Sequence, residues 1–231
     1  FRYAFLGGVA VLAILYGFGL IVAGLLVSAI LVPVLYLIYL YEVQVYRDEP
    51  ALVVGTTMGL GLLLGVVVTV VGENVIKPRF LPGGVLGGSG GYATTGDFLE
   101  ATVLVPAIAL LFVSLPALLL RRRPGFGETA DGLVLGVAAG LGYSAAETVV
   151  RFSDAIVNNQ LRSTPGTWIY PLLSTCIFIP LLHGTGAGLI AASVWPRQRT
   201  QRSAGLARLA VATALVLTLA FFVAGEWISE A

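Results

Sequence analysis

Between Arg2 and Glu42 the chain carries no charged residue: positions 3–41 are one uncharged, largely apolar run. As a single helix that run would be about twice as long as a bilayer is thick. The economical reading is a hairpin of two membrane-spanning helices, at 3–20 and 25–42, turning between Gly17 and Gly24. The rest of the chain suits the same solvent. Hydrophobic residues make up 58% and charged residues 11% of its 231 positions, whereas a water-soluble domain needs about a quarter charged to cover its surface. Several further charge-free runs reach the ~20 residues that cross a bilayer. The fold class is therefore all-α: a polytopic transmembrane helical bundle of about seven spans, forming one membrane-embedded domain over 1–231.

After a polar link, "YEVQVYRDEP" (41–50), the pattern predicts a third helix at 51–71. A Gly/Pro-rich loop follows at 72–97, and a fourth helix at 98–120 stops against Arg121, Arg122 and Arg123. The fifth helix covers 131–151, and 152–167 is a polar loop. Pro171 and Pro180 interrupt the next apolar segment, so 168–177 reads as interfacial or broken and the sixth span as 178–195. A basic loop at 196–208 leads to the seventh span, 209–226. With the N-terminus inside, Arg2, Arg47, Arg121, Arg122, Arg123, Arg197, Arg199, Arg202 and Arg208 fall on the inner side, against Lys77, Arg79, Arg151 and Arg162 outside. Cytoplasmic loops carry the excess of basic residues, which places the N-terminus inside and the C-terminus outside. If residues 1–42 crossed only once, the N-terminus alone would change sides. The first residue is Phe1, not Met, so a trimmed leader stays open.

Glycines recur at a spacing of four: Gly55 and Gly59; Gly61 and Gly65; Gly132, Gly136 and Gly140; Gly184 and Gly188. Each set shares a helix face where a neighbouring backbone can come close. "GGVLGGSGG" (83–91) lacks the Lys-Ser/Thr and the strand–helix setting of a phosphate loop and reads as a flexible connection. A single cysteine, Cys176, excludes an internal disulfide and a multi-cysteine metal site. The net charge of +1, with no basic block interleaved with aromatics, argues against nucleic acid as a partner.

Three ionisable residues inside the predicted spans stand out: Glu100, Glu147 and His183. A carboxylate in hydrocarbon costs several kcal/mol on insertion scales, so such groups face the bundle interior or water and often mark function. Glu100 sits near the outer start of the fourth helix, where headgroup water is the plain explanation. Glu147 lies in the outer third of the fifth helix, with Arg151 four residues on in the order that favours a helical ion pair. His183 follows Pro180 on the sixth helix at a similar depth. A structural Glu147–Arg151 pair or a simple Glu147–His183 packing contact would account for them. A Glu/His couple can also hold a water, the carboxylate taking its proton and the imidazole stabilising an oxyanion or binding a metal. Two protein ligands fall short of a zinc site, which has at least three.

Three stretches resemble the PrsW family of intramembrane proteases, distant relatives of the CAAX-processing (ABI) proteases. "YLYEVQVYRDEPALVVGTTMGLG" is similar to the family's link into its third helix. "RRRPGFGETADGLVLGVAAGLGYSAAETVVRF" is similar to its basic loop, Asp-Gly start and Gly-aromatic-x-x-x-Glu-Asn signature, and "LLHGTGAGLIAAS" to its histidine-bearing helix. The likeness covers about residues 30–200. It puts Glu147 on the signature glutamate and His183 on the family histidine, with Thr148 in place of the usual asparagine. Counted back from the arginines, the family's Glu-Glu-x-x-Lys motif falls on Ala109, Leu110 and Val113, so by that count it is missing.

What the resemblance implies is an intramembrane endopeptidase, glutamate- or metal-dependent, that cuts membrane-anchored proteins near the outer leaflet of a prokaryotic cell membrane. Glu147 would be general base or ligand, and His183 oxyanion stabiliser or ligand. The cofactor stays open, with a divalent metal such as zinc as the candidate. The partners are the lipid bilayer and other membrane proteins, as substrates or as complex partners. The alternative is a catalytically silent relative, a pseudoenzyme that binds membrane proteins as a subunit or regulator. A small transporter with a Glu147–His183 proton relay is a third reading, without a visible inverted repeat to support it.

Overall fold

The structure is a computed structural model that describes residues 2–42, 51–72, 105–121, 128–153, 177–195 and 201–230. Among them it contains seven α-helices: α1 (Arg2–Gly17), α2 (Ile21–Glu42), α3 (Ala51–Val71), α4 (Val105–Leu120), α5 (Thr129–Arg151), α6 (Ile179–Val194) and α7 (Gln201–Glu230). The all-helical class and the seven elements agree with the sequence. Residues 21–39, 51–71 and 129–151 are long and apolar enough to cross a membrane, and shorter apolar helices lie at 2–17, 106–120, 179–194 and 208–220. Glu100, the loop at 72–97 beyond Gly72 and most of 168–177 lie outside the described residues.

Local signals set the helix ends. The α1–α2 hairpin turns at Gly19, whose φ of 72° is a left-handed conformation that glycine adopts without a Cβ penalty. Gly19 N–H donates to the Tyr16 carbonyl at 3.0 Å and Leu20 N–H to the Leu15 carbonyl at 2.8 Å, the paired closure of a Schellman stop. At the start of α5, Asp131 Oδ2 accepts from the Glu128 backbone N–H at 2.8 Å. Pro180 sits in the first turn of α6, where its missing N–H leaves no helical bond unmade. Helix α7 begins at Gln201, inside the stretch read from the sequence as a basic loop.

Helix α5 is the axis of the bundle. Of the three long spans it has the lowest mean hydropathy, 1.5 against 2.7 for α2 and 2.3 for α3, and yet 83% of its span is buried, against 33% and 22%. In lipid this ordering is expected: the helices that face acyl chains carry the large apolar residues, and the enclosed one is free to be small and polar. From Val134 to Thr148 every residue of α5 is buried.

Glycines allow that enclosure. A Cβ at Gly136 would meet the Ala187 carbonyl at 2.5 Å, and one at Gly140 would fall on the carbonyl of His183. Both face α6. A Cβ at Gly142 would fall on the Met58 carbonyl of α3, and from the α3 side one at Gly61 would fall on the Ala139 carbonyl. Residues two apart on a helix point about 200° apart, so Gly140 and Gly142 open opposite sides of α5, one for each neighbour. Gly132, Gly136 and Gly140 meet progressively earlier positions, Trp195 just past α6 and then Ala187 and His183 within it, so α5 and α6 are antiparallel. Gly61 and Gly65 meet progressively later residues of α5, Ala139 and Tyr143, so α3 and α5 are parallel. Gly55 and Gly59 face open space, which corrects the expectation that every four-spaced set is a packing seam. Trp195 closes the end of the bundle where α5 begins and α6 ends. It is 1% exposed and packs with Val54, Ala117, Leu135 and Ala191.

Replacing Gly61 or Gly140 by Ala should therefore destabilise the protein by about 1–3 kcal/mol through overpacking against backbone. Gly59→Ala should be neutral or slightly stabilising. Thermal unfolding of the three variants in one detergent checks this, and equal melting temperatures would contradict the assigned seam.

Candidate functional site

Antiparallel packing of α5 and α6 brings Glu147 and His183 together. Gly140 lies level with the His183 backbone, and Glu147 is seven residues further along α5, about 10 Å by helix rise. Side chains lean toward the N-terminus of their own helix. On antiparallel neighbours those leans are opposed, so Glu147 reaches back along α5 while His183 reaches toward the start of α6. Glu147 Oε2 and His183 Nδ1 end 3.3 Å apart, with the side chains 6% and 3% exposed. The two residues singled out by the sequence thus share one buried site.

The second carboxylate oxygen is engaged. Glu147 Oε1 receives Arg151 Nη2 at 2.7 Å, and the Arg151 side chain is 21% exposed. Arg151 is the more open end of the site, one helical turn nearer the end of α5. The 3.3 Å contact is of a different kind. Among the described residues, both Glu147 Oε2 and His183 Nδ1 are buried without an aligned hydrogen bond. Buried polar atoms are hydrogen-bonded in the great majority of cases, so this pair of open atoms is unusual.

The structure adds two residues that the sequence reading did not single out as site groups. Tyr143, 2% exposed, sets its ring edge-on to the His183 imidazole, with centroids 5.1 Å apart and planes at 81°. It packs with Val113 of α4, Val68 of α3 and Ala187 of α6. Thr69 stands beside the Tyr143 hydroxyl. Tyr143 was visible in the sequence only as the aromatic four residues before Glu147, which is the spacing of one helix face. Thr69 had a fainter signal: it continues the Gly61, Gly65 series that faces α5.

Residues 49–227 match the model of the PrsW family of intramembrane metalloproteases. The chain belongs to the PrsW family. No curated protein and no solved structure matches it. The PrsW match spans α3 to most of α7 and therefore includes both Glu147 and His183.

A family of metalloproteases implies a divalent metal, and the open pair fits two of its ligands. Carboxylate oxygen and imidazole nitrogen are zinc donors, with bonds of about 2.0–2.2 Å. Two such bonds at the tetrahedral angle place their donor atoms about 3.3–3.5 Å apart, and the 3.3 Å between Glu147 Oε2 and His183 Nδ1 lies at the short end of that range. Among the described residues no group of three or more His, Cys, Asp or Glu side chains converges, so these two could supply only part of a ligand set.

The edge contact makes Tyr143 a packing anchor for His183. Tyr143→Ala should cost about 3–5 kcal/mol, whereas Tyr143→Phe, which keeps the ring, should stay close to wild type. Chemical or thermal unfolding in detergent measures both, and a silent Tyr143→Ala would contradict the anchor.

Proposed function

We propose that this PrsW-family chain is an intramembrane endopeptidase that cleaves membrane-anchored proteins near the outer leaflet of a prokaryotic cell membrane. The observation that carries the reading is the buried Glu147 Oε2–His183 Nδ1 pair, 3.3 Å apart and lacking an aligned hydrogen bond, in a chain of that family. The basic residues support the side: the arginine-rich segment before α5 marks the inner face, so Glu147, near the far end of α5, belongs to the outer third.

Hydrolysis of a peptide bond adds water to the carbonyl carbon, breaks the C–N bond and returns the water's proton to the leaving amine. The site needs a group that manages that proton and positive charge where the carbonyl oxygen becomes negative. Glu147 serves as general base or metal ligand, and His183 as oxyanion stabiliser or metal ligand. The donor separation favours the ligand assignment. A divalent metal such as zinc, when bound there, would acidify water and polarise the carbonyl. The chain supplies the rest: α3 and α6 shut the acyl chains away from Glu147, and Tyr143 holds the imidazole ring.

A specific observation favours the second reading, a catalytically silent relative that binds other membrane proteins. Arg151 already occupies Glu147 Oε1, and the exposed Gly55–Gly59 face of α3 offers open space to a partner helix.

Co-reconstitution in lipid vesicles with candidate single-span proteins separates the two. Cleavage by wild type should fall by about 100-fold or more in Glu147→Gln and His183→Ala. Equal cleavage by all three proteins, or none by any, removes the protease reading.

A further inference from the structure

Arg151 is not part of the motif that places Glu147 and His183, yet it makes the shortest contact of the site. Its Nη2 lies 2.7 Å from Glu147 Oε1. The partner is on the same helix, four residues away, so the contact does not depend on how α5 packs against its neighbours. A carboxylate has two equivalent oxygens and a freely turning terminal torsion. Fixing one oxygen removes both freedoms. With Oε1 held by the guanidinium, Oε2 alone is turned to His183 Nδ1, at 3.3 Å. Among the described residues the buried Nε of Arg151 has no hydrogen-bond partner, and the contact to Glu147 runs through Nη2.

We infer that Arg151 is a positioning residue: it locks the Glu147 carboxylate so that a divalent cation meets a single oxygen, Oε2, beside His183 Nδ1. The inference rests on the metal-ligand assignment proposed above. Partners behind a metal ligand orient it, and their loss typically weakens metal affinity by about 10- to 100-fold. A further consequence is particular to this geometry. Released from Arg151, the carboxylate can turn both oxygens to the cation, so the change is one of coordination number as well as affinity.

The test uses the full chain in detergent micelles, with Zn²⁺ as the titrant and Co²⁺ as a spectroscopic substitute. Wild type should bind Zn²⁺, and Glu147→Gln and His183→Ala should lose that binding. Arg151→Met should bind about 10- to 100-fold more weakly than wild type, and its Co²⁺ complex should absorb more weakly in the visible as the coordination number rises. Arg151→Lys, which keeps the charge and is the safer variant to fold, should recover part of the affinity. A residue that only stabilised the fold would lower the melting temperature of the metal-free protein and leave the Co²⁺ spectrum unchanged, and that result overturns the inference. So do Arg151→Met and Arg151→Lys with wild-type affinity while Glu147→Gln is inactive in binding. Absence of Zn²⁺ binding by wild type, or equal binding by Glu147→Gln, overturns the metal-ligand assignment itself and the inference with it.

Discussion

Close approach of backbones along α5 is the constraint on which the rest of the molecule depends. Hydrocarbon gives no hydrophobic drive to bring helices together, so association rests on van der Waals contact, interhelical hydrogen bonds and lipid entropy. At Gly136 and Gly140 on one side, and at Gly142 opposite Met58 on the other, carbonyls of α6 and α3 stand where side chains would otherwise be. This approach encloses α5 completely between Val134 and Thr148. It also sets the register that lets Glu147 and His183 meet. A shift of one helical turn between α5 and α6 would move the two by about 5.4 Å, farther than their contact can stretch.

A carboxylate enclosed in that way is tolerated because its charge is matched. Glu147 has a guanidinium on one oxygen and an imidazole near the other. Pairing offsets the desolvation of a buried ion only where the geometry is good and remaining donors and acceptors are satisfied. Here one side of the carboxylate meets that condition and the other does not. Among the described residues, the Oε2–Nδ1 side of the carboxylate carries no aligned hydrogen bond.

The architecture was largely legible because lipid imposes a simple rule: uncharged runs of sufficient length become helices. That Glu147 and His183 share a depth followed from counting residues along two helices. Which faces pair did not follow. Gly59 and Gly61 belong to equally good four-spaced sets, but they point about 200° apart, and α5 packs against the set that begins with Gly61. Thr69 was missed for the same reason, since its place at the site depends on the Gly61–Gly65 face of α3 being the one that meets α5. The start of α7 was set too late because hydropathy marks where lipid begins, whereas helix α7 starts earlier, at Gln201. Arg202 and Arg208 interrupt the apolar run without interrupting the helix.

The Glu147–Arg151 contact spans a single turn of one helix, with consequences for biosynthesis. His183 is made later than α5, so it cannot assist the carboxylate when that segment first leaves the ribosome and partitions into the bilayer. Arg151 can, because an i to i+4 pair closes as soon as the helix forms. The nascent segment then presents no net charge at that turn to the insertion machinery. The least apolar long span of the bundle is thereby eased into lipid before the helices that will enclose it are complete.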